Sequence, residues 1–244
     1  MSVTFAAGFS AGSVAAGLKS SGKLDVTVVH NTGPSDAAAA VFTSNRAKAN
    51  PVLWSIEAIK DGSARAVVLN SGGANCYTGA EGFQATHKSA ELVASALDVS
   101  AQDVLVCSTG LIGVQLDGAK LYPAIEAACQ KLNADGGADS AQAIMTTDSV
   151  PKLATATSAA GWKIGGMAKG AGMLAPALAT MLVVITTDAE VSDLDAHLRA
   201  ATSVSFDRLD SDGCTSTNDT VILMASGSSG IKAQAEEFQN LLVD

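Results

Sequence analysis

Between Gly165 and Ala189 the chain changes character at one peptide bond. Up to Ala179 it is Gly-rich and built of small residues, with a single cation, Lys169. From Thr180 on it is β-branched and apolar (Val183, Val184, Ile185, Thr186, Thr187), the composition of a buried strand. A hydroxyl residue that opens a buried strand after a pliable loop is where an N-terminal nucleophile can be made. Cleavage between Ala179 and Thr180 frees an α-amine beside the Thr180 hydroxyl. Such an amine has a pKa of about 7.7–8.0 and serves as a base near neutral pH, and base-activated threonine is an established nucleophile type. A strand that simply begins with threonine fits the same local pattern.

A second candidate is Ser108-Thr109-Gly110-Leu111-Ile112-Gly113, directly after an apolar run. Gly110 in a tight turn can aim its N–H outward next to the Thr109 hydroxyl. Two such donors can hold a developing oxyanion, each worth roughly 2.7–4 kcal/mol in mutagenesis, although an ordinary strand-end turn has the same composition. Lys169 is followed by Gly170, so the Gly-Lys-Ser/Thr of a phosphate loop is missing. That leaves a solvated lysine or a cation that meets a substrate carboxylate. Asn70–Asn75, Ile144–Asp148 (with Thr146) and Ser216–Thr220 are hydroxyl- and amide-rich clusters that also suit turn chemistry.

Two motifs are decoys. Gly8-Phe9-Ser10-Ala11-Gly12 has nucleophile-elbow spacing but no strand-then-helix context. Gly170–Ala175 has dinucleotide-loop spacing but runs into Pro176 and β-branched residues where that motif demands a helix.

With 244 residues the chain has room for a sizeable core. A net charge of −9 and the absence of any basic cluster remove the electrostatic footprint of a nucleic-acid binder, and point to small-molecule partners. Cys76, Cys107, Cys129 and Cys214 are widely spaced, and His30, His87 and His197 form no ligand motif with them. No metal is expected, and the thiols read as reduced ones of a cytoplasmic protein. There is no basic n-region with an apolar core at the start and no apolar run of spanning length, so neither a signal peptide nor a membrane span is expected.

The elements that must position these residues are mixed. Leu24–Val29, Ala37–Phe42, Ala64–Leu69 and Val104–Cys107 read as strands. Phe83, Ala90, Val93 and Leu97 form one helical face, as do Leu121, Ile125, Ala128 and Leu132, and Leu194, Leu198 and Ala201 after a Ser192 N-cap. Ile231, Ala235, Phe238 and Leu242 make a last apolar stripe with nothing downstream to cover it. Left in water, such a face forfeits about 1.5–3 kcal/mol per large side chain, so the chain is expected to fray there and to be a catalytically incompetent piece of a longer one.

Taken together, Asn70–Gly79, Cys107–Gly113, Ile144–Lys152, Gly165–Asp188 and Ser205–Thr220 resemble, in that order, the motifs of ornithine acetyltransferase, the glutamate N-acetyltransferase family of arginine biosynthesis. The resemblance implies an α+β fold, a layered α-β-β-α sandwich whose C-terminal domain is missing here, with 1–244 as one incomplete catalytic domain. It implies self-cleavage at Ala179–Thr180 in Leu-Ala-Thr-Met-Leu, giving an α chain (1–179) and a β chain from 180. By the same carry-over Thr180 is the nucleophile, Thr109 and Gly110 form the oxyanion hole, and Thr146, Lys169 and Thr180 contact the amino-acid substrate. The implied reaction moves acetyl from N-acetylornithine to glutamate through an acetyl-threonine. It needs no cofactor, with acetyl-CoA a further co-substrate in some members, and the α and β chains form a heterodimer that assembles further. Asn75-Cys76-Tyr77-Thr78 departs from the family's usual Asn-Ala-Cys-Thr and sets a bulky Tyr77 near the site. The alternatives are an N-terminal-nucleophile aminopeptidase or amidase, with water as acceptor, and an inactive fragment.

Overall fold

Along Ala66–Gly73 the side chains alternate between two separate cores: Val67 and Leu69 enter one apolar cluster, Ala66 and Val68 another. A strand buried on both faces needs continuous apolar sequence, and this requirement organises the molecule. The computed structural model describes residues 2–173 and 181–244. In chain order its elements are β1 (Phe9–Val14), β2 (Val26–Asn31), β3 (Ala38–Phe42), α1 (Asn50–Ala58), β4 (Ala66–Gly73), α2 (Gly79–Leu97), β5 (Val104–Leu111), α3 (Gly118–Gln130), α4 (Gly137–Ala143), β6 (Lys152–Thr157), β7 (Lys163–Lys169), β8 (Leu182–Thr187), α5 (Leu194–Val204), β9 (Thr220–Ala225) and α6 (Ala235–Val243).

They form two mixed sheets, β1-β2-β4-β5 and β3-β9-β8-β7-β6. In each, one pair is parallel (β4 with β5, β8 with β9) and the others are antiparallel. Val29, Val67, Leu69 and Leu105 of the first sheet share a core with Met167, Leu182, Val184 and Ile222 of the second. The opposite faces are covered by helices: Val93, Leu121 and Ile125 from α2 and α3 pack on the first sheet, and Leu194, Leu198 and Phe238 from α5 and α6 on the second. This is the expected α-β-β-α sandwich.

Several local expectations are corrected. The Gly-rich stretch is not pliable throughout, because Gly165–Lys169 belongs to β7, hydrogen-bonded between β6 and β8. A side chain at Gly165 would come within 2.1 Å of the Ser2 carbonyl, so glycine there admits the N-terminal segment. β5 runs on through Thr109, Gly110 and Leu111, which end a strand rather than follow one. Asp193, not Ser192, caps α5, accepting from the Ala196 N–H. Phe83 is exposed on α2. The final stripe is not bare: Phe238 is fully buried, 5.6 Å from the Trp162 ring and 5.2 Å from that of His197, centroid to centroid. Elements earlier in the chain cover Phe238 and half-bury Ile231 and Leu242, while Ala235 stays exposed, so the stripe is covered in part. The Ala179–Thr180 junction lies outside the described residues.

Candidate active site

The site lies where the parallel pair of the first sheet ends. Register places Gly72 opposite Gly110, and both take positive φ, 111° and 132°. A Cβ on Gly110 would fall 2.6 Å from backbone atoms of Gly72 and Gly73, and one on Gly72 would fall 2.8 Å from the Leu18 carbonyl group. The glycines therefore allow β4, β5 and the loop before β2 to converge. That loop is tied down by the buried Asp25 carboxylate, which accepts from the N–H groups of Ala16 (2.6 Å), Leu18 (2.7 Å) and Lys19 (3.1 Å). On the other side Asn218 donates to the carbonyls of Ala74 (2.6 Å) and Ser108 (2.8 Å). Between these walls is a cavity of about 570 Å³, lined by Lys19, Thr109, Gly110, Thr146, Ser216 and Asn218 among others. A space of this size suits a small molecule.

Lys169 comes from the second sheet. It ends β7, is 2% exposed, and its Nζ donates to Thr109 Oγ1 at 3.0 Å. It is therefore not a solvated lysine. Burial lowers its pKa to about 8, against the carboxylates of Asp148 and Asp219, which raise it, and with Lys152 and Lys19, which lower it further.

Thr146 is exposed, on the strap between α4 and β6. Its N–H donates to Asp148 (3.3 Å), which also accepts from Gly170 N–H (2.8 Å) and from the Lys152 ammonium. Burial pushes the Asp148 carboxyl up, but Lys152 and these two N–H groups outweigh it and hold the pKa below the usual range. Lys19 anchors the base of the strap by donating to the carbonyls of Met145 (3.0 Å) and Ala143 (3.4 Å).

Asp219 is fully buried next to Asn218. Its Oδ1 accepts from Met181 N–H at 3.0 Å, whereas its Oδ2 is buried and, among the described residues, accepts no hydrogen bond. Burial pushes its pKa up to about 6, against the Met181 N–H, the Ser216 hydroxyl and the Lys169 charge.

The cavity thus brings together Thr109, Gly110 and Thr146, with Lys169 behind Thr109. Ala179 and Thr180 lie outside the described residues, which resume at Met181. Tyr77 does not crowd the site: it is 74% exposed and does not line the cavity. Sequence reasoning assigned no role to Asp148 or Asp219, although both stand in clusters it singled out, and it passed over Lys19 entirely. Asp148 meets Lys152 only four residues on, a spacing the sequence did show, whereas the carbonyls that Lys19 holds and the Met181 N–H that Asp219 accepts are distant in sequence and left no local signal. Among the described residues no three His, Cys, Asp or Glu side chains converge as a metal site, and no helix is long and apolar enough to cross a membrane.

Known proteins share this arrangement of sequence and fold. The ArgJ family profile matches residues 10–244. The arginine biosynthesis bifunctional protein ArgJ of Streptomyces coelicolor is 60% identical over 240 residues, covering 98% of this chain and 62% of the relative. Its counterpart in Thermobifida fusca is 58% identical over 246 residues, 100% of this chain and 64% of the relative. The chain thus spans under two thirds of the length of these curated relatives. A crystal structure of ornithine acetyltransferase complexed with ornithine, from Mycobacterium tuberculosis, superposes with a TM-score of 0.71 at 49% identity, covering 74% of this chain and 96% of that one. A structure of the Bacillus halodurans bifunctional protein superposes with a TM-score of 0.63 at 29% identity, covering 75% of this chain and 95% of that one. With sequence in agreement along nearly its whole length and fold along about three quarters of it, the chain belongs to the ArgJ family.

Proposed function

We propose that this chain carries the nucleophile and oxyanion hole of an acetyltransferase that moves acetyl from N-acetylornithine to glutamate, after cleaving itself at Ala179–Thr180. The observation that carries the reading is convergence on one cavity. Thr109 and Gly110 line it, and Met181, the residue after Thr180, is tied to Asp219 beside cavity-lining Asn218. The ornithine held by the Mycobacterium tuberculosis relative fits a cavity of this size. That solved chain is also shorter than this one, whereas the curated relatives are longer, as expected if solved chains are products of cleavage.

In cleavage, the Thr180 hydroxyl adds to the Ala179 carbonyl, the C–N bond breaks, and an ester and a free amine form. Water hydrolyses the ester, leaving a carboxylate on Ala179. In transfer, Thr180 Oγ adds to the acetyl carbonyl of N-acetylornithine while its proton passes through the new α-amine to the departing ornithine nitrogen. The amine of glutamate then attacks the acetyl ester, N-acetylglutamate leaves and the hydroxyl is restored. Thr109 O–H and Gly110 N–H face the oxyanion of each tetrahedral intermediate, while Thr146 and Thr180 contact the amino acid and Lys169, which does not line the cavity, is held against Thr109. Acetyl-CoA is a second donor to the same threonine, in keeping with the word bifunctional in the relatives' names, and no prosthetic group takes part. The cleaved chains stay together because β8 pairs with β7, and β9 with β3, across the junction. The heterodimer so formed assembles further.

Denaturing mass spectrometry of the intact protein, paired with an assay of acetyl transfer to glutamate, tests the reading. Two chains starting at Met1 and Thr180 are expected, with both cleavage and transfer lost in Thr180→Ala and partly kept in Thr180→Ser. Full transfer by Thr180→Ala would place the nucleophile elsewhere.

A further inference from the structure

The Thr109 hydroxyl has one proton and two lone pairs. Lys169 Nζ has only donors, so the 3.0 Å contact occupies a lone pair of Thr109 Oγ1 and leaves its proton free. Among the described residues that proton has no acceptor, and Thr109 stands on the cavity wall. A hydroxyl that accepts from a buried ammonium and donates into a cavity is polarised as a donor, because the cation behind it draws electron density from the O–H bond. Lys169 itself is absent from the residues lining the cavity and reaches it through Thr109.

We propose that Lys169 is a positioning residue for the oxyanion hole: by donating to Thr109 Oγ1 it turns the threonine proton toward the substrate carbonyl and lends it positive charge. This rests on the acyl-transfer reading above, and gives Lys169 a task at Thr109 in place of the substrate contact that the family resemblance implies. It also explains a lysine buried at a cost in solvation. Lys169 reaches from β7 to Thr109 on β5 without lining the cavity, which leaves the pocket free for substrate. The groups that face it are the carboxylates of Asp148 on the strap and Asp219 before β9, which sustain its charge, and the ammoniums of Lys152 at the start of β6 and Lys19 on the loop before β2, which oppose it. Under this balance its pKa is about 8. The charge is complete well below pH 8 and lost as pH rises through it, so kcat should fall on the alkaline side with that midpoint.

Kinetics on the intact, processed protein decide the matter, with chain cleavage checked by mass. Lys169→Met is expected to lower kcat about 100-fold, the loss seen when one oxyanion donor is removed, and to leave KM for N-acetylornithine within a few-fold. Thr109→Val should lower kcat to a similar extent, and the double variant should be no worse than the poorer single one. Thr109→Val, which keeps the shape of the site, should also lose the alkaline fall near pH 8, a change that merely structural damage would not produce. Thr109→Ser should retain most of the rate. A tenfold rise in KM with unchanged kcat in Lys169→Met, additive losses in the double variant, or an alkaline limb that persists in Thr109→Val would each overturn the proposal. Thr180→Ala is run alongside: if it transfers acetyl normally the nucleophile reading itself fails, whereas if it is dead and Thr109→Val keeps the alkaline limb, only the role of Lys169 fails.

Discussion

Asp25 and Asp219 are both fully buried, and the protein treats them in opposite ways. Asp25 accepts three backbone N–H groups through its two oxygens, all from the loop that walls the cavity. Asp219 accepts one backbone N–H on Oδ1 and is met by the Ser216 hydroxyl, and among the described residues its Oδ2 has no partner. A buried carboxylate is tolerated when its charge is met by donors. The first is therefore a structural clamp, while the second carries an unmet demand beside the cavity. Buried polar groups left unsatisfied mark the places where a fold gives up stability for function.

Three substitutions put that contrast at risk. Asp25→Asn should be the most damaging, because its amide NH2 must oppose at least one of the three N–H donors whichever way it turns. A loss of about 2–3 kcal/mol is expected, read as a lower urea midpoint with an unchanged slope. A midpoint like that of wild type would mean that the loop is held by something else.

Asp219→Asn should behave in the opposite sense. The carboxyl titrates at about 6 in the folded protein, against about 3.9 in an unfolded chain. The ionised form is thus a burden on the fold that is present above pH 6 and lifted as pH falls from 6 toward 4. At pH 7 the asparagine variant should unfold at no lower urea than wild type, and its advantage should shrink through that window, while acetyl transfer declines. Lower stability at neutral pH would show that Asp219 is a second clamp, and would erase the contrast.

Lys19→Met is the mildest of the three. It removes the amine that holds the Met145 and Ala143 carbonyls, for roughly 0.5–1.5 kcal/mol. Because those carbonyls support the strap that bears Thr146, a few-fold rise in KM is expected with kcat nearly unchanged. A fall in kcat with constant KM would place Lys19 in the chemistry instead.

The strands that sequence made legible are those buried on both faces. Val104–Cys107 and the run after Thr180 stand out because each side chain must be apolar when both sides are core. β7 escaped for the reverse reason. Gly165 is there because the Ser2 carbonyl presses on the strand, and a contact reaching across the molecule leaves no periodic trace nearby. The stripe of Ile231, Ala235, Phe238 and Leu242 was legible as an apolar face, but its cover was not, since Trp162 and His197 come from far upstream.

By itself, then, the sequence determined the mixed α and β character, the pairing of the Thr109 hydroxyl with Gly110 and the abrupt change of composition at Ala179–Thr180, because each is written in neighbouring residues. Tertiary structure alone decided what the charged groups do. Lys169 meets Thr109 across 60 positions, and Met181 meets Asp219 across 38. Such pairs are set by which strands lie side by side and which sheet faces which, and helical or strand periodicity carries no information about either.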